Sequence, residues 1–221
     1  QRAGKRGIDV DVPVIPAASP PAKKTISDDE LLSMVEKAKR LEDRGDWASA
    51  AQQYETAIIA RQTASKHVSV QLFHSLGRCT HYSGDTERAM AFFNEAIFHV
   101  EQLKQNESSG RGAVVPPADV ASLLADAGMA HDEEGNLQRA ANLYMAAIDA
   151  DSTSLDAYFR LAQLLVKDQQ PETSALIYYR LLRTQAQHLN GVTPRPMALL
   201  MDLLFSSKRC DEARVVFHRI E

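Results

Sequence analysis

Residues 84–97 read GDTERAMAFFNEAI, and the same pattern occurs twice more, as GDWASAAQQYETAI at 45–58 and GNLQRAANLYMAAI at 135–148. In each copy an alanine stands five residues after the glycine, an aromatic residue nine after it, and an Ala-Ile pair follows at twelve and thirteen. Such self-similarity indicates an internal repeat, in which one supersecondary unit stacks on its neighbours. The chain is therefore expected to be built from repeated helical units.

Two glycines in and before this stretch define its local structure. Gly77 falls inside the helical pattern that precedes residue 84, where a glycine costs roughly 1 kcal/mol relative to alanine. We interpret Gly77 as a point of close approach by a second helix. Gly84 lies at the turn between the two helices, where glycine adopts a left-handed backbone at low cost. The segment is predicted to be a helix–turn–helix.

The spacing resembles that of the tetratricopeptide repeat (TPR), a 34-residue helix–turn–helix unit. Placed on residues 70–103, the repeat's characteristic aromatic, leucine and small positions fall on Phe73, Leu76, Gly77, Ala89, Phe93 and Ala96. Further units fit near 31–64, 121–154 and 155–188, with a truncated fifth at 194–221. The resemblance implies an all-α fold, a right-handed α-solenoid of about five repeats.

Two segments do not fit the repeat. Residues 1–26 contain four prolines, five basic residues and two acidic ones, which predicts an extended, basic tail preceding a solenoid at 27–221. The SDDE sequence that starts at Ser27 is a plausible helix N-cap with acidic residues in the first turn. Residues 104–120 form an insert between the second and third units, and we expect this insert to be flexible.

No pattern typical of a catalytic or cofactor-binding site is present. The sequence lacks a nucleophile elbow, a zinc-type HExxH, a paired Cys-x-x-Cys and a dinucleotide-binding glycine fingerprint. His67, His74 and His81 recur every seven residues, which separates neighbours by about 10.5 Å along a helix, too far to share one metal ion. We therefore expect a non-enzymatic protein with no metal and no cofactor.

Charge, hydropathy and cysteine content restrict the remaining functions. The net charge is −4, which gives no general attraction for nucleic acid. No apolar run reaches the roughly 18–20 residues of a membrane span. Cys79 and Cys210 both lie in helical patterns far apart in the sequence, which argues against a disulfide framework. We expect an intracellular reducing compartment, either the cytoplasm or an organelle matrix such as the mitochondrial one.

The TPR resemblance also implies where a partner binds, because the first helices of stacked units line a concave groove that holds peptide segments or partner helices. The groove positions of the repeat select Lys39, Gln71, His74, Arg78, His81, Met129, Phe159 and Gln163. Lys39, His74, Arg78 and His81 would form a basic, largely solvated stripe. That stripe suggests an acidic peptide segment as the partner.

Two functions follow as alternatives. The first is a scaffold or adaptor subunit that binds segments of other proteins within a larger assembly. The second is an RNA-contacting or peripheral subunit of a ribonucleoprotein such as an organellar ribosome, although direct reading of nucleic acid is disfavoured by the acidic repeat body. The C-terminal end has a feature of its own. In the truncated fifth unit, the first helix is predicted to be apolar around much of its circumference, because it carries Leu199 and Leu203 in addition to its inward-facing residues. We expect a partner, self-association or further chain to cover that end.

Overall fold

The computed structural model describes residues 27–64, 68–107 and 114–188, together with Ala198 and Asp202. The three long ranges contain helices α1 (Asp28–Asp43), α2 (Trp47–Thr63), α3 (Val70–Tyr82), α4 (Thr86–Glu107), α5 (Pro117–Glu133), α6 (Leu137–Ala150), α7 (Leu155–Lys167) and α8 (Pro171–His188). Each odd-numbered helix packs against the even-numbered helix that follows, and each pair packs against the next. The described ranges thus form an all-α solenoid of four helix pairs, which confirms the predicted fold class.

The start of α1 agrees with the sequence pattern. The Ser27 hydroxyl accepts a hydrogen bond from the Glu30 amide at 3.2 Å, and the Ser27 amide donates to Glu30 Oε2 at 3.0 Å. This reciprocal capping box satisfies two amide groups that the helix itself leaves without partners. Helix α1 therefore begins directly after Ser27.

Close helix crossings within a unit depend on the absence of a side chain in the first helix. A Cβ atom added to Gly77 would lie 2.6 Å from Phe93 Cε1, and one added to Gly128 would lie 2.7 Å from Tyr144 Cε1. On the facing second helices, Ala89 and Ala140 are fully buried. The interpretation of Gly77 as a point of close approach is confirmed, and Gly128 has the same role one unit later.

The turns between paired helices use a left-handed residue at one position. Gly45, Gly84 and Gly135 have φ values of 75°, 96° and 78°. The fourth unit has no glycine there, and Gln169 takes φ 57° instead. The turn geometry is thus kept in the fourth unit, at the steric cost that a left-handed conformation imposes on a residue with a Cβ.

The predicted insert at 104–120 is too long at both ends. Helix α4 continues to Glu107, and α5 begins at Pro117. The Pro116-Pro117 pair starts α5 because proline fits the first helical position, where its missing N–H would have no partner inside the helix. Val120, assigned to the insert, is buried in the core. Residues 108–113 and the tail 1–26 lie outside the described residues, as does most of the predicted fifth unit.

Candidate partner-binding wall

The first helices lie along one side of the stack. Helix α3 contacts α5 directly, and α5 contacts α7, whereas successive second helices in the described ranges make fewer contacts. A stack whose helices approach more closely on one side curves toward that side. We call the solvent-facing side of α1, α3, α5 and α7 the concave wall.

A charged cluster joins three successive first helices on this wall. Arg78 Nη2 lies 3.0 Å from Glu42 Oε1, and Arg78 Nε lies 3.8 Å from Asp126 Oδ2. His74 Nε2 lies 2.8 Å from the same Asp126 oxygen. The Glu42 and Asp126 side chains are 13% and 14% exposed, whereas Arg78 is 37% exposed. The cluster thus places two largely covered carboxylates on either side of a half-exposed guanidinium.

Neighbouring core groups support the Glu42 end of this cluster. The Tyr54 hydroxyl donates a hydrogen bond to Glu42 Oε2 at 2.8 Å. Burial raises the pKa of Tyr54, and the Glu42 carboxylate raises it further. Burial, together with Glu42, also raises the pKa of the Cys79 thiol to about 12, so this thiol is protonated at neutral pH. Glu42 is therefore engaged on both of its oxygens.

The other predicted residues of the basic stripe are placed differently. Lys39 is exposed and has no ion-pair partner among the described residues. Gln71 is exposed and donates from Nε2 to Asp119 Oδ2 at 3.2 Å. The His81 side chain is only 4% exposed, and its Nε2 lies 3.4 Å from Glu133 Oε1. His81 therefore packs between α3 and α5 and is not a solvated groove residue.

These contacts remove the basis for expecting an acidic partner. His74 and Arg78 were predicted to be solvated, but both are already paired with carboxylates of adjacent first helices. Glu42 and Asp126 place two carboxylates beside the single guanidinium of Arg78. A carboxylate brought to Arg78 would approach two others, which opposes its binding.

The predicted residues of the third and fourth units lie on α5 and α7, and α7 also carries a second arginine. Met129 and Phe159 are half-buried, and Gln163 is exposed. The Phe159 ring meets the Tyr178 ring edge-on, with centroids 5.8 Å apart. Arg160 Nε donates to Asp156 Oδ2 at 2.7 Å. This half of the wall combines accessible apolar side chains with a cation that is already paired.

Sequence reasoning missed the carboxylates that organise the wall, and a signal for them exists. Counted within their own units, Glu42, Arg78 and Asp126 occupy positions 12, 9 and 6 of three successive repeats. A step of three residues is about one helical turn, so these positions follow a diagonal across the stacked first helices. Opposite charges along such a diagonal predict ion pairs between successive first helices. Comparing the same position in each repeat does not reveal them.

The acidic character of the chain is concentrated on the first helices. Helices α1, α3, α5 and α7 contain eleven Asp or Glu residues and six Lys or Arg residues. The second helices, α2, α4, α6 and α8, contain seven and six respectively. The first helices therefore carry an excess of negative charge that the second helices lack.

The described residues contain neither a metal-binding group nor a membrane-spanning helix. No group of three or more His, Cys, Asp or Glu side chains is arranged to hold a metal ion within the part of the chain that is described, which includes the HDEE sequence at 131–134. None of its helices is long and apolar enough to cross a membrane. Leu199 and Leu203, which form the predicted C-terminal face, lie outside the described residues.

Comparison with solved structures identifies the architecture. A kinesin light chain protein of Podosopora anserina with nearly identical TPR-like repeats is similar over 86% of this chain and 92% of that chain, with 16% identity and a TM-score of 0.61. The MamA protein is similar over 86% and 89%, with 14% identity and a TM-score of 0.61. The Cut9–Hcn1 hetero-tetramer of APC/C contains a chain similar over 79% of this one and 30% of its own length, with 14% identity and a TM-score of 0.61.

The fold is that of a tetratricopeptide-repeat solenoid, as the repeat pattern predicts. No protein-family model matches the sequence, and no curated protein matches it. At identities of 14–16%, the similarity to these solved structures establishes the fold alone.

Proposed function

We propose that this chain is a non-enzymatic scaffold subunit that binds an extended or helical segment of another protein along its concave wall. The observation that carries this proposal is the half-buried apolar pair Met129 and Phe159 on neighbouring first helices, beside exposed Gln163. Concave solenoid surfaces present side chains from successive units to one extended ligand. Partly accessible apolar side chains supply most of the affinity in such grooves.

The charge of the first helices restricts the net charge expected of the partner segment. Because acidic residues outnumber basic ones on the first helices and the central arginines are already paired, the segment should carry apolar anchors and a neutral or positive net charge. This replaces the acidic segment expected from the sequence. The same acidic excess argues against an RNA-contacting role, because phosphate would be repelled from the wall.

Assembly with other subunits fits the fold. One structurally similar chain, Cut9, forms a hetero-tetramer with Hcn1 within APC/C. A repeat solenoid with a continuous wall can hold one partner across several units, so modest individual contacts add up to a high total affinity. We infer the same general mode of assembly for this chain, with partners that are other protein subunits.

Capture of partners from an extract of the native cells tests the proposal. Gln163 is exposed, so Gln163→Glu and Gln163→Arg should both fold normally. Phe98→Arg, at a side chain 52% exposed on the second helix α4, is the matched control away from the wall. We expect Gln163→Arg to reduce recovery of the bound proteins, while Gln163→Glu and Phe98→Arg retain it. Equal recovery by all variants would remove the concave wall as the binding site.

A further inference from the structure

An aromatic pair lies at the edge of the solenoid where the paired helices turn. Trp47 is the first residue of α2 and Tyr82 the last of α3, and their ring centroids are 4.8 Å apart at an interplanar angle of 36°. Tyr82 is 46% exposed. Among the described residues, neither the Trp47 indole N–H nor the Tyr82 hydroxyl has a hydrogen-bond partner, and neither is among the buried unpaired groups.

Acidic residues outnumber basic ones along this edge. The ends of first helices and the turns that follow them carry Asp43, Asp46, Asp85, Glu133 and Glu134, against Arg44 in the same three turns and Arg88, which is paired with Asp85 at 3.6 Å. The His81 ring connects the aromatic pair to this acidic edge, because it packs edge-on against Tyr82 at 5.3 Å and lies 3.4 Å from Glu133. The edge therefore combines an accessible aromatic surface, free hydrogen-bond donors and negative charge.

This combination matches the chemistry of a proline-rich, basic segment. Polyproline II segments bind to exposed aromatic rings, because their rings and free carbonyl groups meet aromatic faces and side-chain donors. Such a segment occurs in this chain, since residues 1–26 contain Pro13, Pro16, Pro20 and Pro21 together with five basic residues.

The chain length allows this segment to reach the pair. Helix α1 has 16 residues and so spans about 24 Å from Ser27 to its turn. Pro20 and Pro16 precede Ser27 by 7 and 11 residues, and an extended chain at about 3.1 Å per residue covers roughly 22–34 Å over those lengths. A chain that runs back along α1 therefore brings its prolines to Trp47 and Tyr82.

We propose that residues 13–21 bind in cis to the Trp47–Tyr82 pair, with Arg2, Lys5 and Arg6 facing the acidic turns of the second and third units. The indole N–H and the phenol hydroxyl donate to carbonyl groups of the segment. Because residues 13–21 belong to the same chain as the aromatic pair, their effective concentration at the pair is in the millimolar range. A weak contact therefore suffices to keep the site occupied. This interaction is separate from the proposed function, because it uses the turn edge and leaves the concave wall open.

Intrinsic fluorescence tests this interaction directly, because Trp47 is the single tryptophan of the chain. The full-length protein is compared with a full-length variant carrying Pro16→Ala, Pro20→Ala and Pro21→Ala, and with a matched control carrying Ala17→Ser and Ala18→Ser. The measurement is quenching of Trp47 by acrylamide. We expect the proline variant to be quenched at least about 1.5-fold more strongly than the wild type, since an indole face loses its cover. The control should match the wild type.

A synthetic peptide of residues 1–26 provides the second measurement. It should restore protection of Trp47 in the proline variant and have little effect on the wild type, whose site is filled by its own segment. Equal quenching of wild type and proline variant would overturn the proposal, as would a peptide that leaves the variant unchanged. Protection that declines as the wild-type protein is diluted would assign the site to the segment of a second copy and would also contradict binding in cis.

Discussion

Arg78 Nη2 lies 3.0 Å from Glu42 Oε1, and this ion pair joins the first helices of two successive repeats. Asp126 extends the contact to a third repeat through Arg78 Nε and His74 Nε2. In a repeat protein each unit contacts only its neighbours. The free energy of unfolding therefore depends on the stability of each unit and on the interfaces between adjacent units. The cluster contributes to two of those interfaces.

Replacing Arg78 by alanine should therefore destabilise the fold. The change leaves the largely covered carboxylates of Glu42 and Asp126 without their shared cation, and we expect the free energy of unfolding to fall by about 1–3 kcal/mol. Arg88→Ala is the matched control, because Arg88 also bridges two units, lying 3.3 Å from Glu55, but is 52% exposed. That control should change stability by about 0.5 kcal/mol or less. Urea unfolding of both variants measures the difference, and equal losses would show that the cluster has no special structural role.

Gly77→Ala tests the close helix crossing of the second unit. Alanine favours a helix over glycine by roughly 1 kcal/mol, but its Cβ would lie 2.6 Å from the buried Phe93 ring. Overpacking of this kind costs about 1–3 kcal/mol, so we expect a net loss of stability. In a Phe93→Leu background the ring is absent, and the same substitution should cost less or become stabilising. Thermal unfolding of the double-mutant cycle checks this, and an unchanged effect would mean that Phe93 does not set the crossing.

The positions that sequence reasoning located correctly are those defined by backbone geometry and small residues. Gly77 and Gly84 could be interpreted from their places in the repeat, because a close crossing and a left-handed turn each exclude most other residues. The charged contacts do not follow from comparing equivalent repeat positions. Arg78 pairs with Glu42 and Asp126, which are 36 and 48 residues away and at different repeat positions. Their meeting depends on the stagger between stacked units, which no single repeat contains.

Burial of His81 illustrates the same limitation. Its spacing from His74 and Arg78 predicted one solvated stripe, but His81 lies in the last turn of α3, where α5 and Glu133 cover it. Residue spacing within one helix shows which side chains share a face. It does not show which part of that face a neighbouring helix covers. The 104–120 insert was overestimated for a related reason, since α4 extends its helix to Glu107 beyond the usual repeat length.

Gln169→Gly should stabilise the fourth unit. Gln169 is the one non-glycine residue of the described ranges with a positive φ, 57°, and it occupies the position where the other turns have glycine. A left-handed conformation costs a residue with a Cβ about 1–2 kcal/mol, partly offset by the greater chain entropy that glycine loses on folding. We expect a gain of about 0.5–1 kcal/mol in the free energy of unfolding. Gln170→Gly, one residue later, should give no gain, and stabilisation by both would point to a cause other than the φ angle.

His131 should make the fold sensitive to mild acid. Burial lowers the pKa of His131 from its ordinary value of 6.5, and Arg139 lowers it further. The unfolded chain therefore binds this proton more readily than the folded chain, so stability is complete above about pH 6.5 and is lost as the pH falls below that value. His131→Gln cannot take up the proton. Its loss of unfolding free energy between pH 7.5 and pH 5.5 should be smaller than that of the wild type, and an equal loss would exclude His131 as a source of the pH dependence.

Site-specific photocrosslinking tests the central claim, that partners bind along the concave wall. A photoreactive amino acid is placed at Gln163 or at Lys39, both exposed on first helices, and at Phe98 or Ile59, exposed on second helices. After illumination in the native cells, crosslinked proteins are identified by mass spectrometry. We predict that one partner crosslinks to the Gln163 and Lys39 positions and is absent from the Phe98 and Ile59 positions. A partner that crosslinks to the second-helix positions and not to the first-helix positions would contradict the account.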